Sequence, residues 1–511
     1  MKYINRTIVT LALLVLSLSS MAAIDDSMNI NDIHQQIKNK QLTSEQLVKF
    51  YLKRIEKYDH NGVQLNSVVQ LNKQAIAQAK ALDQYFIEHG LKGKLHGIPV
   101  LLKDNIDTLD GMANTAGSTA LANNFPKDEA FLVKQLKKAG AIILGKTNLS
   151  EWANFRSPHA SSGWSALYGQ SKNPYNTQIT PCGSSSGSAI AAAANFATVT
   201  IGTETDGSIT CPSAINGVVG IKPTLGTVSR NGIIPISHSQ DTAGPLAKNV
   251  TDAVILLSAM VKADHNDSAM VDSSIDYVSH LKLDGVKGKR IGIARNLMGY
   301  HQGLDNLFNK AVQTLKAQGA IIIDNTNFTH LQELGRHEFE VLLYEFKAGL
   351  NHYLGDTTED IPKSLAQLIE YNKKHADVEM PYFAQELFEM AQSKGELTDK
   401  NYIEALGHSK KLTQKLGIDT LLEKHQLDLI IAPTTSPGWK IDWVNGDKFL
   451  GAASSPAAVA GYPHITVPMG YVDGLPVGLS MFSGKLQEGK LIETAYGYEQ
   501  ATLHRFSPKL Q

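Results

Sequence analysis

Cysteine is almost missing from this chain: its 511 residues include two, Cys182 and Cys211. That excludes a scaffold stapled by many disulfides and a thiolate metal cluster, both of which need more sulfur. The 17 histidines form no HExxH or Cys/His ligand pattern, so no metal and no cofactor are expected. An excess of either charge is also lacking. Lysine plus arginine number 48 against 49 acidic residues, a formal net charge of −1, which removes the electrostatic reason to expect nucleic acid or an acidic membrane surface as partner. There is no tandem repeat, low-complexity tract or Pro/Ser-rich linker, and one catalytic domain over 24–511 is the simplest division.

Long apolar runs are confined to one place. Lys2 and Arg6 precede IVTLALLVLSL (8–18), and the stretch SMAA (20–23) carries the small residues of a cleavage site. This is the secretory signal pattern. Residues 1–23 are therefore expected to be a signal peptide and the mature protein to be exported, periplasmic or secreted. The run falls short of the roughly 20 apolar residues a bilayer span needs, so no stable membrane insertion is expected.

Downstream, short apolar stretches alternate with helical periodicity. Thr43 or Ser44 can cap a helix whose apolar positions Leu47, Phe50, Tyr51 and Ile55 recur at helical spacing. Helices are predicted near 73–89, 131–138, 188–196 and 304–318. Strands are predicted at 98–102, 141–144, 197–201, 218–221, 290–294, 320–323, 427–431 and 465–467. This interleaving argues for an α/β layer fold with a largely buried sheet. A long charged helical region, 330–423, is expected to lie over that sheet as an insertion.

Three stretches carry chemistry: IPVLLKDN (98–105), PCGSSSGS (181–188) and GTETDGSITCP (202–212). Together they describe a serine hydrolase whose base is lysine rather than histidine. The latter two are rich in Gly and Ser where the chain enters helices, so the backbone can approach a bound group and present N–H donors to an oxyanion. In these residues the chain resembles the amidase signature family. The likeness runs through 97–105, 145–152 (GKTNLSEW), 181–224, 240–247 (QDTAGPLA), 427–435 and 460–500. It implies a single large domain with a mixed central β-sheet covered by helices on both faces, and it implies hydrolysis of a small-molecule or peptide carboxamide to release ammonia or an amine. Carried over residue by residue, it makes Ser208 the nucleophile, Ser184 the hydroxyl that relays its proton and Lys103 the base. Main-chain N–H groups of Thr205, Asp206 and Gly207, with Ser208, would form the oxyanion hole.

A lysine can act as base only when neutral, so its pKa must fall several units from about 10.4. The apolar strand before Lys103 allows that, and strand alternation puts Asp104 on the opposite face. The chain departs from the family pattern in two places. Asp206 stands where glycine is usual, and Thr210 replaces an arginine, so an ion pair with Glu204 is missing and the rigidity of the loop is in question. The combination CGSSSGS with TETDGSI is most similar to exported bacterial amidases of the peptide amidase type. A peptide C-terminal amide is therefore a candidate substrate beside aryl, fatty and aliphatic amides.

Each cysteine sits beside one of the two serines. A bond between them needs Cα atoms within about 4.4–6.8 Å; the expectation is two free, half-buried thiols, with a disulfide as the alternative. Two other functional readings compete. GSSSG (183–187) fits the G-x-S-x-G elbow of α/β-hydrolases and would make Ser185 the nucleophile, but the elbow needs a strand before it, and NPYNTQITP (173–181) reads as a loop. A non-catalytic protein or an amidotransferase-type subunit is the other alternative. Intact Lys103, Ser184 and Ser208 argue against the first, and export argues against tRNA-dependent work in the cytosol.

Overall fold

The computed structural model describes residue 24 and residues 28–357 and 360–510; the expected signal peptide, 1–23, lies outside the described residues. The strands are β1 (Val68–Leu71), β2 (Pro99–Lys103), β3 (Ile142–Thr147), the pair β4 (Trp164–Ser165) and β5 (Gly169–Gln170), β6 (Val199–Glu204), β7 (Val219–Lys222), β8 (Thr242–Ala247), β9 (Arg290–Ile293), β10 (Ile321–Ile323), β11 (Leu429–Pro433), β12 (His464–Val472) and β13 (Leu475–Phe482). All but β4 and β5 join one sheet in the order β1-β3-β2-β6-β8-β7-β12-β13-β11-β9-β10. β2 runs parallel to β3 and β6, and β9 runs parallel to β10 and β11. The other neighbours are antiparallel. The sheet is thus mixed, with helices on both faces.

Runs such as PVLLK and VTIGTE are buried along their whole length, as strands covered on both sides must be. The helix Ser44–Arg54 begins where its cap was expected: Thr43 accepts from Gln46 N, and the Gln46 side chain returns the bond to the Thr43 N–H. Three sheet strands fall where none was expected, β1, β8 and β13. β8 holds Gly244 and Pro245, which normally argue against a central strand. Its pairing with β7 involves only Leu246 and Ala247, so Pro245 lies beyond the ladder on that side.

The 330–423 region is helical, with helices at Leu331–Gly355, Leu365–Lys374, Glu386–Gln392 and Lys400–Thr413. It does not form the cover over the sheet that was expected. Leu343, Phe346, Leu350 and Phe388 pack with Leu121, Trp152, Phe155 and Ile236 in one apolar cluster, so the region closes over the loops that leave the sheet. Among the described residues no helix is long and apolar enough to cross a membrane.

Candidate active site

Lys103 is the last residue of β2. The register Leu102↔Ile201 brings it beside the end of β6, and there its Nζ lies 2.7 Å from Ser184 Oγ, 2.9 Å from Thr203 Oγ1 and 3.3 Å from Thr203 O. The side chain is 0% exposed. Among the described residues no carboxylate forms an ion pair with it. Burial pushes the ammonium down to about 7, against a smaller opposing pull from the charges of Asp241 and Glu204. A neutral amine suits this set of neighbours, with two N–H donors for Thr203 and a lone pair toward the Ser184 hydroxyl. Asp104 points the other way, as alternation requires. It pairs with the buried Lys146 at 3.1 Å and accepts from Thr115.

Ser184 follows a cis peptide bond from Gly183. A Cβ on Gly183 would come within 2.1 Å of Ser150 Oγ, so any larger residue here would have to displace that hydroxyl. The two serine segments are held against each other. Ser185 N donates to Ser208 O at 3.1 Å, and Cys182 and Cys211 form a disulfide with Cα atoms 6.1 Å apart. The expectation of free thiols is therefore corrected. The fold sets each cysteine next to its serine across the same gap, within bonding reach.

Ser185 has surroundings that do not suit an elbow nucleophile. It is fully buried, and its Oγ donates to Thr203 O at 3.0 Å and accepts from Thr203 N at 3.1 Å. The segment before it, 173–181, is a loop rather than a strand. Ser208 instead is 8% exposed and lines a cavity of about 410 Å³ with Cys182, Asp206, Gly207, Phe155 and Trp439. A larger cavity of about 560 Å³ lies against Thr203 and Asp241 and shares Ala153, Thr205 and Ile236 with the first. It does not include Ser208, so of the two cavities the smaller is the one that this residue lines.

Asp206, Gly207 and Ser208 lie in the turn between β6 and the helix Thr210–Ile215, and among the described residues their N–H groups donate to no protein acceptor. Gly207 has φ +80°, which favours glycine. Glu204 finds other partners in the absence of the family's arginine. Glu204 Oε2 accepts from Ile209 N at 2.8 Å, Thr210 N at 2.9 Å and Thr210 Oγ1 at 3.3 Å, anchoring the turn to the helix behind it. The buried Lys222 supplies the nearby positive charge. Asp206 is held by Ser455, whose hydroxyl donates to Oδ2 at 2.6 Å.

Several residues of the site escape a reading of the sequence: Thr203, which orients Lys103; Asp241, which accepts from Thr205 Oγ1 at 2.5 Å; and Gln240, Glu338 and Ser455 around Asp206. Thr203, Gln240 and Asp241 fall inside quoted motifs, but the polar face each presents emerges only once the strands are paired. No group of three or more His, Cys, Asp or Glu placed to hold a metal occurs among the described residues.

Comparison with known proteins follows the same lines. The amidase family model matches residues 46–492. A probable amidase of Arabidopsis thaliana is 41% identical over 96% of this chain and 93% of its own length. The peptide amidase PAM, solved with the competitive inhibitor chymostatin, superposes with a TM-score of 0.92 at 47% identity, covering 95% of this chain and 99% of that one. A glutamyl-tRNA(Gln) amidotransferase polypeptide of Pseudomonas savastanoi pv. phaseolicola is 34% identical over 93% of this chain and 97% of its own length.

Proposed function

The chain belongs to the amidase signature family of amide hydrolases, and from that premise we propose that it works through Lys103, Ser184 and Ser208 and acts on peptides bearing a C-terminal amide. The observation that carries the reading is the fully buried Lys103 Nζ, 2.7 Å from a serine hydroxyl and free of any carboxylate partner among the described residues. Such an amine is a base near neutral pH rather than a fixed cation.

Neutral Lys103 takes the proton of Ser184 Oγ while Ser184 takes that of Ser208, and Ser208 Oγ attacks the amide carbonyl. The carbonyl oxygen gains the negative charge and is received by the N–H groups of residues 205–208; each such donor is worth roughly 2.7–4 kcal/mol in the transition state. Protonated Lys103 returns its proton through Ser184 to the leaving nitrogen, which departs as ammonia. Water then attacks the acyl-Ser208 ester by the same relay, giving the carboxylate and restoring the serine. No cofactor enters these steps.

The substrate class rests on the likeness to peptide amidase and on an apolar mouth formed by Phe155, Ile236, Leu342, Trp439 and Phe449, which suits the side chain of a residue next to a terminal amide. A disulfide between Cys182 and Cys211 supports export to an oxidising compartment. The test is labelling by a fluorophosphonate probe together with ammonia release from a peptide amide by the purified chain alone. The wild type should label and release ammonia, and Ser208→Ala should do neither. Equal labelling of Ser208→Ala would refute the nucleophile, and ammonia release only with an added partner protein would favour the amidotransferase-type reading.

A further inference from the structure

The turn that carries the proposed oxyanion donors is gripped from outside the family motifs, by the long helix Leu331–Gly355. We propose that Glu338 of this helix is a positioning residue for the oxyanion turn, acting through a proton that it shares with the carboxylate of Asp206. This rests on the reading of Ser208 as nucleophile and adds a residue to that site.

Asp206 stands where the family usually has glycine, so its side chain needs a reason. Its Oδ2 accepts from Ser455. Its Oδ1 is shut from water and meets no N–H or hydroxyl donor. Glu338 is 7% exposed, and its carboxyl lies against that of Asp206. Two carboxyls in contact, that of Glu338 buried and that of Asp206 half-buried with its Oδ1 shut from water, repel unless one carries a hydrogen, and a proton on Glu338 is the hydrogen that Oδ1 otherwise lacks. The other side of Glu338 is fixed as well: Gln240 Nε2 donates to Glu338 Oε1 at 2.9 Å and to Thr205 O at 3.3 Å. One clasp therefore reaches the side chain of Asp206 and the main chain of Thr205, both in the turn before Ser208.

The charges around this pair favour the same proton position. Asp206 is the titratable group that faces Glu338, and burial together with that negative neighbour raises the Glu338 carboxyl well above the usual carboxylate range. Beneath the turn, the charge of Asp206 reaches Lys222 and Glu204. Lys410, from the helix Lys400–Thr413, places its Nζ on the carbonyls of Ser239 and Val459 and feels the charge of Glu345. No cation therefore meets Glu338 to hold it ionised among these neighbours.

The consequence is a second limb in the pH profile. Activity should rise through about pH 7 as Lys103 loses its proton, and should fall at alkaline pH when Glu338 ionises and pushes Asp206 and its N–H away from the substrate oxygen. Lys103 alone gives only the rise.

The experiment measures kcat and KM for a peptide amide from pH 5.5 to 10.5, with active sites counted by fluorophosphonate labelling, in wild type, Glu338→Gln and Glu338→Ala. The glutamine amide supplies a hydrogen that does not titrate, so Glu338→Gln should keep the rise near pH 7 and lose the alkaline fall. Glu338→Ala should label yet lose at least tenfold in kcat at pH 7 with KM changed less than threefold. A Glu338→Gln profile with the wild-type alkaline fall, or a Glu338→Ala enzyme with wild-type kcat per labelled site, overturns the proposal. Wild-type enzyme that turns over without labelling at Ser208 instead overturns the nucleophile on which it rests.

Discussion

Replacing Lys103 by methionine should abolish turnover and, at neutral pH, make the protein more stable. Wild-type folding carries a cost here, because an amine of pKa 10.5 in the unfolded chain is held at about 7 in the fold. Such a depressed amine binds more protons unfolded than folded. Wild-type stability is therefore flat below about pH 7 and climbs with pH between about 7 and 10.5. At pH 7 the full difference applies, on the order of 5 kcal/mol at about 1.4 kcal/mol per pKa unit. Methionine removes that cost and nearly preserves side-chain volume, but it also removes hydrogen bonds. Thr203 Oγ1 keeps a donor from Asn105 Nδ2 at 3.0 Å, and Thr203 O keeps the Ser185 hydroxyl. Ser184 Oγ loses its partner, which costs roughly 1–3 kcal/mol for a buried group.

The net expectation is a gain of about 2–4 kcal/mol at pH 7 that shrinks as pH rises and changes sign near roughly pH 9, where the remaining charge cost equals the lost bond. The assay is urea unfolding of both proteins from pH 6 to 10. What matters is the slope of the stability difference against pH, because an error in either single contribution moves the curve without flattening it. A difference that stays constant across this range would mean that Lys103 titrates in the fold as an ordinary exposed amine. The proposed base would then be lost with it.

Two further expectations follow from the neighbours of the serines. Reducing the disulfide, or the double change Cys182→Ala and Cys211→Ala, releases a loop spanning 29 positions and should cost about 3–4 kcal/mol by the loop-entropy relation; a change below 1 kcal/mol in urea unfolding would show that the bond does not brace the two serine segments. Ser185→Ala removes both hydroxyl bonds to the Thr203 backbone and should lower stability by roughly 1–3 kcal/mol while the protein still labels with a fluorophosphonate probe, whereas loss of labelling in a folded variant would return Ser185 to consideration as nucleophile.

What can be read from the sequence depends on whether the signal is local. β2, β3 and β6 show themselves as continuous apolar runs because both faces are covered, and the opposite directions of Lys103 and Asp104 follow from strand geometry alone. β8 stays hidden because Gly244 and Pro245 speak against a strand, and only its partial pairing with β7 makes them tolerable. The cysteines mislead because a separation along the chain says nothing of a gap of 6.1 Å in space. The absent arginine does mean an absent ion pair, but the sequence cannot reveal that Glu204 bonds the backbone of Ile209 and Thr210 instead.

Asp206 and Glu338 show why the remaining part of the site lies beyond sequence reasoning. Taken alone, Asp206 is a departure that threatens the turn, and Glu338 is one acidic residue in a long charged helical region. Their positions are 132 apart, and neither carries a signal until the apolar side of the helix Leu331–Gly355 packs on Phe155 and Ile236. That packing is hydrophobic and non-directional, yet it fixes where a carboxyl must sit. The helical region outside the quoted motifs thus packs over the site's loops, and it contributes the Glu338 side chain beside the turn before Ser208. On this view, differences among related amidases in pH range should track the residue facing the turn from that helix more closely than the serines and lysine beneath it.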